Sequence, residues 1–301
     1  MRAAWHGDAS VLSWALQQGV GAYATCWTPA VCGAAASGGH LHMLQWLRAQ
    51  EPPCPWDSLA CREAAHNGHL HVLQWLRAQE PPCPWDSFAC TQQRHLHVLQ
   101  WLRAQDPPCD WNSSACAAAA CSGHLHVLQW LRAQDPPCPW DSFACTVAAS
   151  HGHLHVLQWL RAQDPPCDWN SSACAAAACS GHLHVLQWLR AQNPPCPWGL
   201  RACDEAALNG HLHVLQWLRA QDPPHPWDAS MCLEAARSGN LRVLQWLRAQ
   251  DPPCPWERQQ CLVALIWRPH ARGVARRRLC PLPAGNGEPA KRCGGWIEAH
   301  P

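Results

Sequence analysis

Lysine is nearly missing from this chain: Lys291 is the single one in 301 residues, and arginine supplies the rest of the positive charge. That imbalance reads as a nucleotide-composition bias of the source more than as a physical requirement. Net charge is scarce as well, formally +1. Seven basic and two acidic residues fall from Arg268 onward, so the body before it holds fifteen basic and nineteen acidic ones. A body this near neutrality lacks the basic footprint of a nucleic-acid groove. No stretch approaches the ~20 consecutive apolar residues of a membrane-spanning helix. The first residues lack a long apolar core, and Asp8 interrupts any signal-like run. An intracellular location is therefore expected, cytoplasmic with the nucleus as the alternative, where thiols stay reduced.

The motifs of chemistry are absent too. There is no C-x-x-C, G-x-G-x-x-G, G-x-x-x-x-G-K-[ST] or H-E-x-x-H. Every Cys, His and Asp that could act in catalysis is one of many equivalent copies, whereas a catalytic set must be distinct from its surroundings. No enzyme activity, cofactor or metal is expected.

What the chain does have is a repeat of 29 residues. The stretch from Gly152 reads G-H-L-H-V-L-Q-W-L-R-A-Q-D-P-P-C-D-W-N-S-S-A-C-A-A-A-A-C-S and begins again at Gly181. Tryptophans give the register: Trp14, Trp46, Trp75, Trp101, Trp130, Trp159, Trp188, Trp217 and Trp246. A second series follows ten residues behind each of the last eight, from Trp56 to Trp256. A unit this short cannot bury its own apolar face and must stack on its neighbours. The expected fold is all-α, a solenoid of helix-turn-helix units.

Two helices are expected in each unit. A longer one runs across His153 to Gln163. Leu154, Val156, Leu157, Trp159 and Leu160 cover more than half of its wheel, and His155, Gln158 and Ala162 share the rest. So wide an arc suits a helix packed on its partner and on both neighbouring units. Asp164-Pro165-Pro166 then ends it, because proline lacks the N–H that continuation requires. Cys167-Asp168-Trp169 packs the return loop, and Asn170 or Ser171 caps the next helix; Asp57, Asp86, Asn112, Asp141 and Asp228 are its equivalents, with Gly199 and Glu257 breaking the set. A shorter helix, roughly Ser172 to Cys179, carries the core C-x-x-A-A, and Gly181 turns the chain into the next unit.

Three places deviate. The interval from Trp14 to Trp46 holds three extra residues around Gly19 to Thr25, so a longer loop is expected there. Cys90 to His95 lacks three residues and the A-A-x-x-G feature, so one short helix should be clipped. Cys109 to Cys145 nearly matches Cys167 to Cys203, the trace of a two-unit duplication. The solenoid is expected over 1–267, with nine copies of the longer helix, a truncated first unit and a capping helix at 257–267. Residues 268–301 are expected to form a mostly disordered basic tail.

Two readings of the repeated polar residues compete. Cysteines recur seven apart, as in Cys54 and Cys61 or Cys83 and Cys90. Structural zinc pairs stand two to four apart, so buried small hydrophobes are the better reading than metal or disulfides. H-x-H recurs too; residues two apart on a helix do not face one another. The first histidine is expected to pack or cap, and the second to stand in an exposed ladder, His71, His97, His126, His155, His184 and His213. Arg272 and Arg276-Arg277-Arg278 read as solvated tail.

The two-helix unit resembles the ankyrin repeat. Thr28-Pro29-Ala30-Val31-Cys32-Gly33-Ala34-Ala35-Ala36-Ser37-Gly38-Gly39-His40-Leu41-His42 resembles that family's T-P-L-H-x-A-A-x-x-G-H-L pattern, and Cys-x-x-Ala-Ala-x-x-Gly-His-Leu carries the likeness elsewhere. The pattern is most similar to divergent tryptophan- and cysteine-rich ankyrin-like repeats of algal, microbial-eukaryote and giant-virus proteins. The D-P-P-C-P-W-D stretch stands where the family has a β-hairpin finger.

The resemblance implies a protein-binding scaffold whose shorter helix lines the concave side. Variation among the units gathers there: Arg62-Glu63 and His66-Asn67, Ala117-Ala118 and Cys121-Ser122, Thr146-Val147 and Ser150-His151, Asp204-Glu205 and Leu208-Asn209, Leu233-Glu234 and Arg237-Ser238. The candidate partner-binding residues are accordingly Arg62, Glu63, His66, Asn67, Thr146, Val147, Ser150, His151, Asp204, Glu205, Leu208, Asn209, Glu234 and Arg237. The expected partner is a protein, not nucleic acid or membrane, and the chain is expected to be monomeric. Rival readings are a structural or weakly selected repeat protein with no fixed ligand, an adaptor in ubiquitin ligation, and a metal-binding solenoid.

Overall fold

The structure is a computed structural model that describes residues 2–17, 28–86, 88–91, 95–199, 201–222, 224 and 228–255. Among them every regular element is a helix. The expected loop at 19–25, the capping helix at 257–267 and the tail at 268–301 lie outside the described residues.

The chain divides into two compact units, one of residues 1–206 and 213–225 and one of residues 207–212 and 226–301. In chain order the helices are α1 (Arg2–Trp5), α2 (Ala9–Gln17), α3 (Pro29–Ser37), α4 (Leu41–Arg48), α5 (Ser58–His66), α6 (Leu70–Arg77), α7 (Phe88–Thr91), α8 (Leu96–Arg103), α9 (Ser113–Cys121), α10 (Leu125–Arg132), α11 (Ser142–Ser150), α12 (Leu154–Arg161), α13 (Ser171–Cys179), α14 (Leu183–Ala191), α15 (Arg201–Asn209), α16 (Leu212–Arg219), α17 (Ala229–Ser238) and α18 (Leu241–Arg248). From α3 onward the odd-numbered helices carry the cysteine-alanine core, and the even-numbered ones carry the tryptophan. In the first unit, α3 packs on α5, α9 on α11 and α11 on α13, each also touching its own even-numbered partner. The small residues of the odd helices allow that close approach. In the second unit α17 packs on α18.

The expected lengths are reversed. The tryptophan helix α12 has 8 residues and the cysteine helix α13 has 9. The former stops short of Asp164-Pro165 because its terminal carbonyls are satisfied early. Ala162 N–H donates to the Gln158 and Trp159 carbonyls, and the Gln163 side chain folds back onto the Trp159 carbonyl at 2.9 Å. The side-chain caps fall where expected: Asn170 Oδ1 accepts from Ser172 N–H at 2.9 Å, and Asp57, Asp86, Asn112, Asp141 and Asp228 do the same in their units. Gly181 turns at φ +76°, in the left-handed region that a side chain resists. The clipped helix is α7, four residues long; residues 92–94 lie outside the description.

Val156, Leu157 and Leu160 are fully buried, and so are their counterparts in α4, α6, α8, α10, α14 and α16, with only Leu131 showing a trace of surface. Each such side chain contributes on the order of 1.5–3 kcal/mol by leaving water. Leu154 and Trp159 are half-buried, and His155 and Gln158 are exposed.

Two sets of bonds join one repeat to the next. The loop tryptophan meets the following tryptophan helix: Trp169 and Trp188 stand edge to face with centroids 6.0 Å apart, and five further pairs repeat this from Trp56–Trp75 to Trp198–Trp217. The histidines reach back one repeat. His153 Nε2 meets the Cys121 carbonyl at 3.1 Å and His155 Nε2 meets the Gly123 carbonyl at 3.2 Å. A carbonyl only accepts, so Nε2 carries the proton in both rings. His71, His97, His184 and His213 bind glycine carbonyls in the same way, and all six rings of the ladder are exposed, as expected. His153 holds the N-cap position but makes no cap bond with its side chain. Its backbone there is not helical, so the two rings of H-x-H come within 5.9 Å, closer than helical spacing allows. In the second unit Asn240 stands in the place of the first histidine, and its amide donates to the carbonyls of Ala207 and Leu208 at 3.0 and 2.7 Å.

Candidate interaction surface

The odd-numbered helices bury one face and leave one stripe free. On α13 the buried residues are Ala173, Cys174, Ala177 and Ala178. Ser172, Ala175, Ala176 and Cys179 fall on the opposite side, at the i, i+3, i+4, i+7 spacing of a single helical stripe. The sequence-predicted residues occupy this stripe and the turn after it. On α5, Arg62, Glu63 and His66 are half-buried and Asn67 is exposed. Thr146, Val147 and Ser150 on α11 are half-buried, with His151 exposed. On α15, Asp204, Glu205 and Leu208 are half-buried and Asn209 is exposed; on α17, Glu234 is half-buried and Arg237 exposed.

The structure brings some of them together. Arg237 pairs with Glu234 at 3.0 Å. His151 lies 3.6 Å from the thiol of Cys121, and Ser150 Oγ 3.4 Å from Ser180 Oγ. Asn67 donates to Ser37 Oγ at 3.1 Å. Arg62, Glu63, His66 and Asn67 are kept apart from Thr146 to His151 by α7 and α9, which intervene in the stack.

One position of the stripe was missed in the sequence: the residue two before each helix cysteine. It reads Ala30, Leu59, Phe88, Ser114, Phe143, Ser172, Arg201 and Ser230. Its variability was visible in the repeat but lay outside the C-x-x-A-A window. This residue reaches back over the preceding helix. A Cβ at Gly33 would come within 2.9 Å of the Leu59 side chain, and the Arg62 guanidinium lies 5.9 Å from the Phe88 ring centre. Phe88 and Phe143 are both exposed.

Between α11, α13 and α15 the stripe opens into a groove of about 400 Å³, lined by Ser150, Ser172, Ala175, Ala176, Arg201 and Glu205 among others. Two of these, Ser150 and Glu205, are sequence-predicted residues.

The cysteines are a separate matter. The close pairs are a helix cysteine and the loop cysteine that follows the next helix, 22 residues on, and not the pairs seven apart. Cys145 Sγ lies 4.0 Å from the Cys167 carbonyl, and Cys167 Sγ donates to the Asp141 carbonyl at 3.3 Å. A hydrogen bond to the Cys167 thiol, then burial, pushes the Cys145 thiol well up, so it stays protonated and unreactive. Of the described cysteines only Cys121 and Cys179 are not fully buried. Among the described residues no group of three or more His, Cys, Asp and Glu is placed to hold a metal ion, and no helix is long and apolar enough to cross a membrane.

No curated protein matches the chain significantly. Residues 173–219, from within α13 to the end of α16, match the family model described as ankyrin repeats (many copies). Over that stretch, which takes in Ala175, Ala176, Arg201 and Glu205 of the groove, the chain is similar to the ankyrin-repeat family.

Proposed function

We propose that the chain is a non-catalytic scaffold that binds a protein partner through the free stripe of its odd-numbered helices. One observation carries the reading. Residues facing the core and the neighbouring repeats hardly change along the chain, while those on the free stripe change charge, size and polarity from α5 to α17. A stack lets that stripe vary without loss of its internal packing, which is how repeat proteins build binding surfaces. The ankyrin-family match supports the same use. The residues proposed for contact are Arg62, Glu63, His66 and Asn67; Thr146, Val147, Ser150 and His151; Asp204, Glu205, Leu208 and Asn209; and Glu234 with Arg237.

The test is proximity labelling in the native cell, repeated with a variant in which Arg62, Glu63, Asp204 and Glu205 become alanine. Loss of specific partners from the variant, at equal abundance and helicity, is the expected outcome. Recovery of an unchanged set would count against this face.

A further inference from the structure

Helices α9 and α13 have the same nine residues, S-S-A-C-A-A-A-A-C, yet they present different surfaces. The residue two before the next helix cysteine makes the difference. After α9 it is Phe143, and by the register that sets Leu59 over Gly33 it belongs above Ala117, which is only 5% exposed. After α13 it is Arg201. That side chain is 84% exposed and leans to Glu205 at 3.9 Å, leaving Ala175 half-buried. By that register the groove over α13 is the counterpart of the place over α9 to which Phe143 is assigned.

We infer that this groove takes an aromatic side chain of a partner peptide, with a carboxylate beside it paired to Arg201. The inference rests on the interaction-surface reading above and names the partner's chemistry. The chain itself supplies the template for the ring, in Phe143 over an identical helix. Charge selects the flanking residue. The Arg201 guanidinium faces solvent, and its ion pair with Glu205 sits near the outer limit of contact, where such pairs contribute little. A guanidinium has five N–H donors, so a peptide carboxylate can share it with Glu205 from the solvent side. Alanines at 175 and 176 put no large side chain into it, and Ser150 and Ser172 also line it. A volume of about 400 Å³ is enough for one ring and its backbone.

The probe is a fluorescein-labelled peptide Gly-Ser-Asp-Phe-Asp-Ser-Gly, titrated with the full chain and followed by anisotropy. Saturable binding is expected, weakened at least ~10-fold when the peptide's Phe becomes Ser. Arg201→Phe, which rebuilds the arrangement over α9, should weaken it by a similar factor. Arg201→Glu, at an exposed position that folding does not depend on, should weaken the Asp-Phe-Asp peptide more than an Asn-Phe-Asn version. No binding up to about 1 mM, or equal binding by wild type and both variants, would overturn the inference. If the peptide fails while the four-alanine variant still loses its partners, the groove is wrong and the broader face stands. Should the peptide bind as described while that variant keeps every partner, the groove stands and the broader face falls.

Discussion

The guanidinium carbon of Arg161 lies 4.1 Å from the ring centre of Trp169, while Nη1 reaches beyond it to donate to the Cys167 carbonyl at 2.7 Å. One side chain thus closes the return loop twice, by stacking and by a charged hydrogen bond. The same pair of contacts recurs from Arg48 to Arg190. It gives the loop a fixed course without a β-hairpin.

Arg161→Lys should keep the charge but lose the planar stack, lowering stability by about 1 kcal/mol. Trp169→Ala should cost more, ~2–3 kcal/mol, since it also strips the edge contact with Trp188. Urea midpoints of the two variants check the order; equal midpoints would remove the arginine stack from the account.

Thiol chemistry should follow burial. In native protein, iodoacetamide should label Cys121 and Cys179 first among the described cysteines, and Cys145 and Cys167 only on unfolding. Peptide mass mapping over time reads this directly. Cys167→Ala should lower stability by about 1–2 kcal/mol, through the lost bond to the Asp141 carbonyl and the space left behind.

Acid should loosen the stack. Burial, the largest cause, holds the His153 and His182 pKa below the ordinary 6.5. The unfolded chain then binds protons more readily than the folded one, so stability is full above that value and falls as pH drops through it. A Tm that declines on acidification below ~6.5 and stays level above about pH 7 is expected. His153→Asn should keep the link to the Cys121 carbonyl, as Asn240 keeps its own, and flatten part of the decline. A Tm–pH curve identical to wild type would show that His153 does not report acid.

Gly152→Ala meets two obstacles. The residue turns at φ +75°, and a Cβ there would come within 2.9 Å of the His182 ring. A loss of ~1–3 kcal/mol is expected, measured by the same urea titration.

Much of this architecture is legible in the sequence. The caps at Asp57, Asn112 and Asn170 and the turn at Gly181 were legible because each depends on a local backbone demand that few residue types meet. The buried Val156, Leu157 and Leu160 were legible through helical spacing. What escaped were relations between repeats. The backward reach of His153 and His155, the pairing of Cys145 with Cys167, and the covering of one helix by a residue of the next all join positions 22 to 32 residues apart, where linear spacing carries no angle. Helix length escaped for another reason: a glutamine side chain, Gln163, satisfies the carbonyl that the prolines were expected to terminate.

The backward-reaching histidines also govern how such a chain can change size. Each ring addresses a carbonyl at an equivalent glycine turn, so cutting at Gly152 and rejoining at Gly181 hands every donor a twin of its old acceptor. Twenty-nine residues is therefore the natural quantum of gain or loss. A change of another length has to be taken up within one unit; α7 is only four residues long, and His97 still grips Gly68.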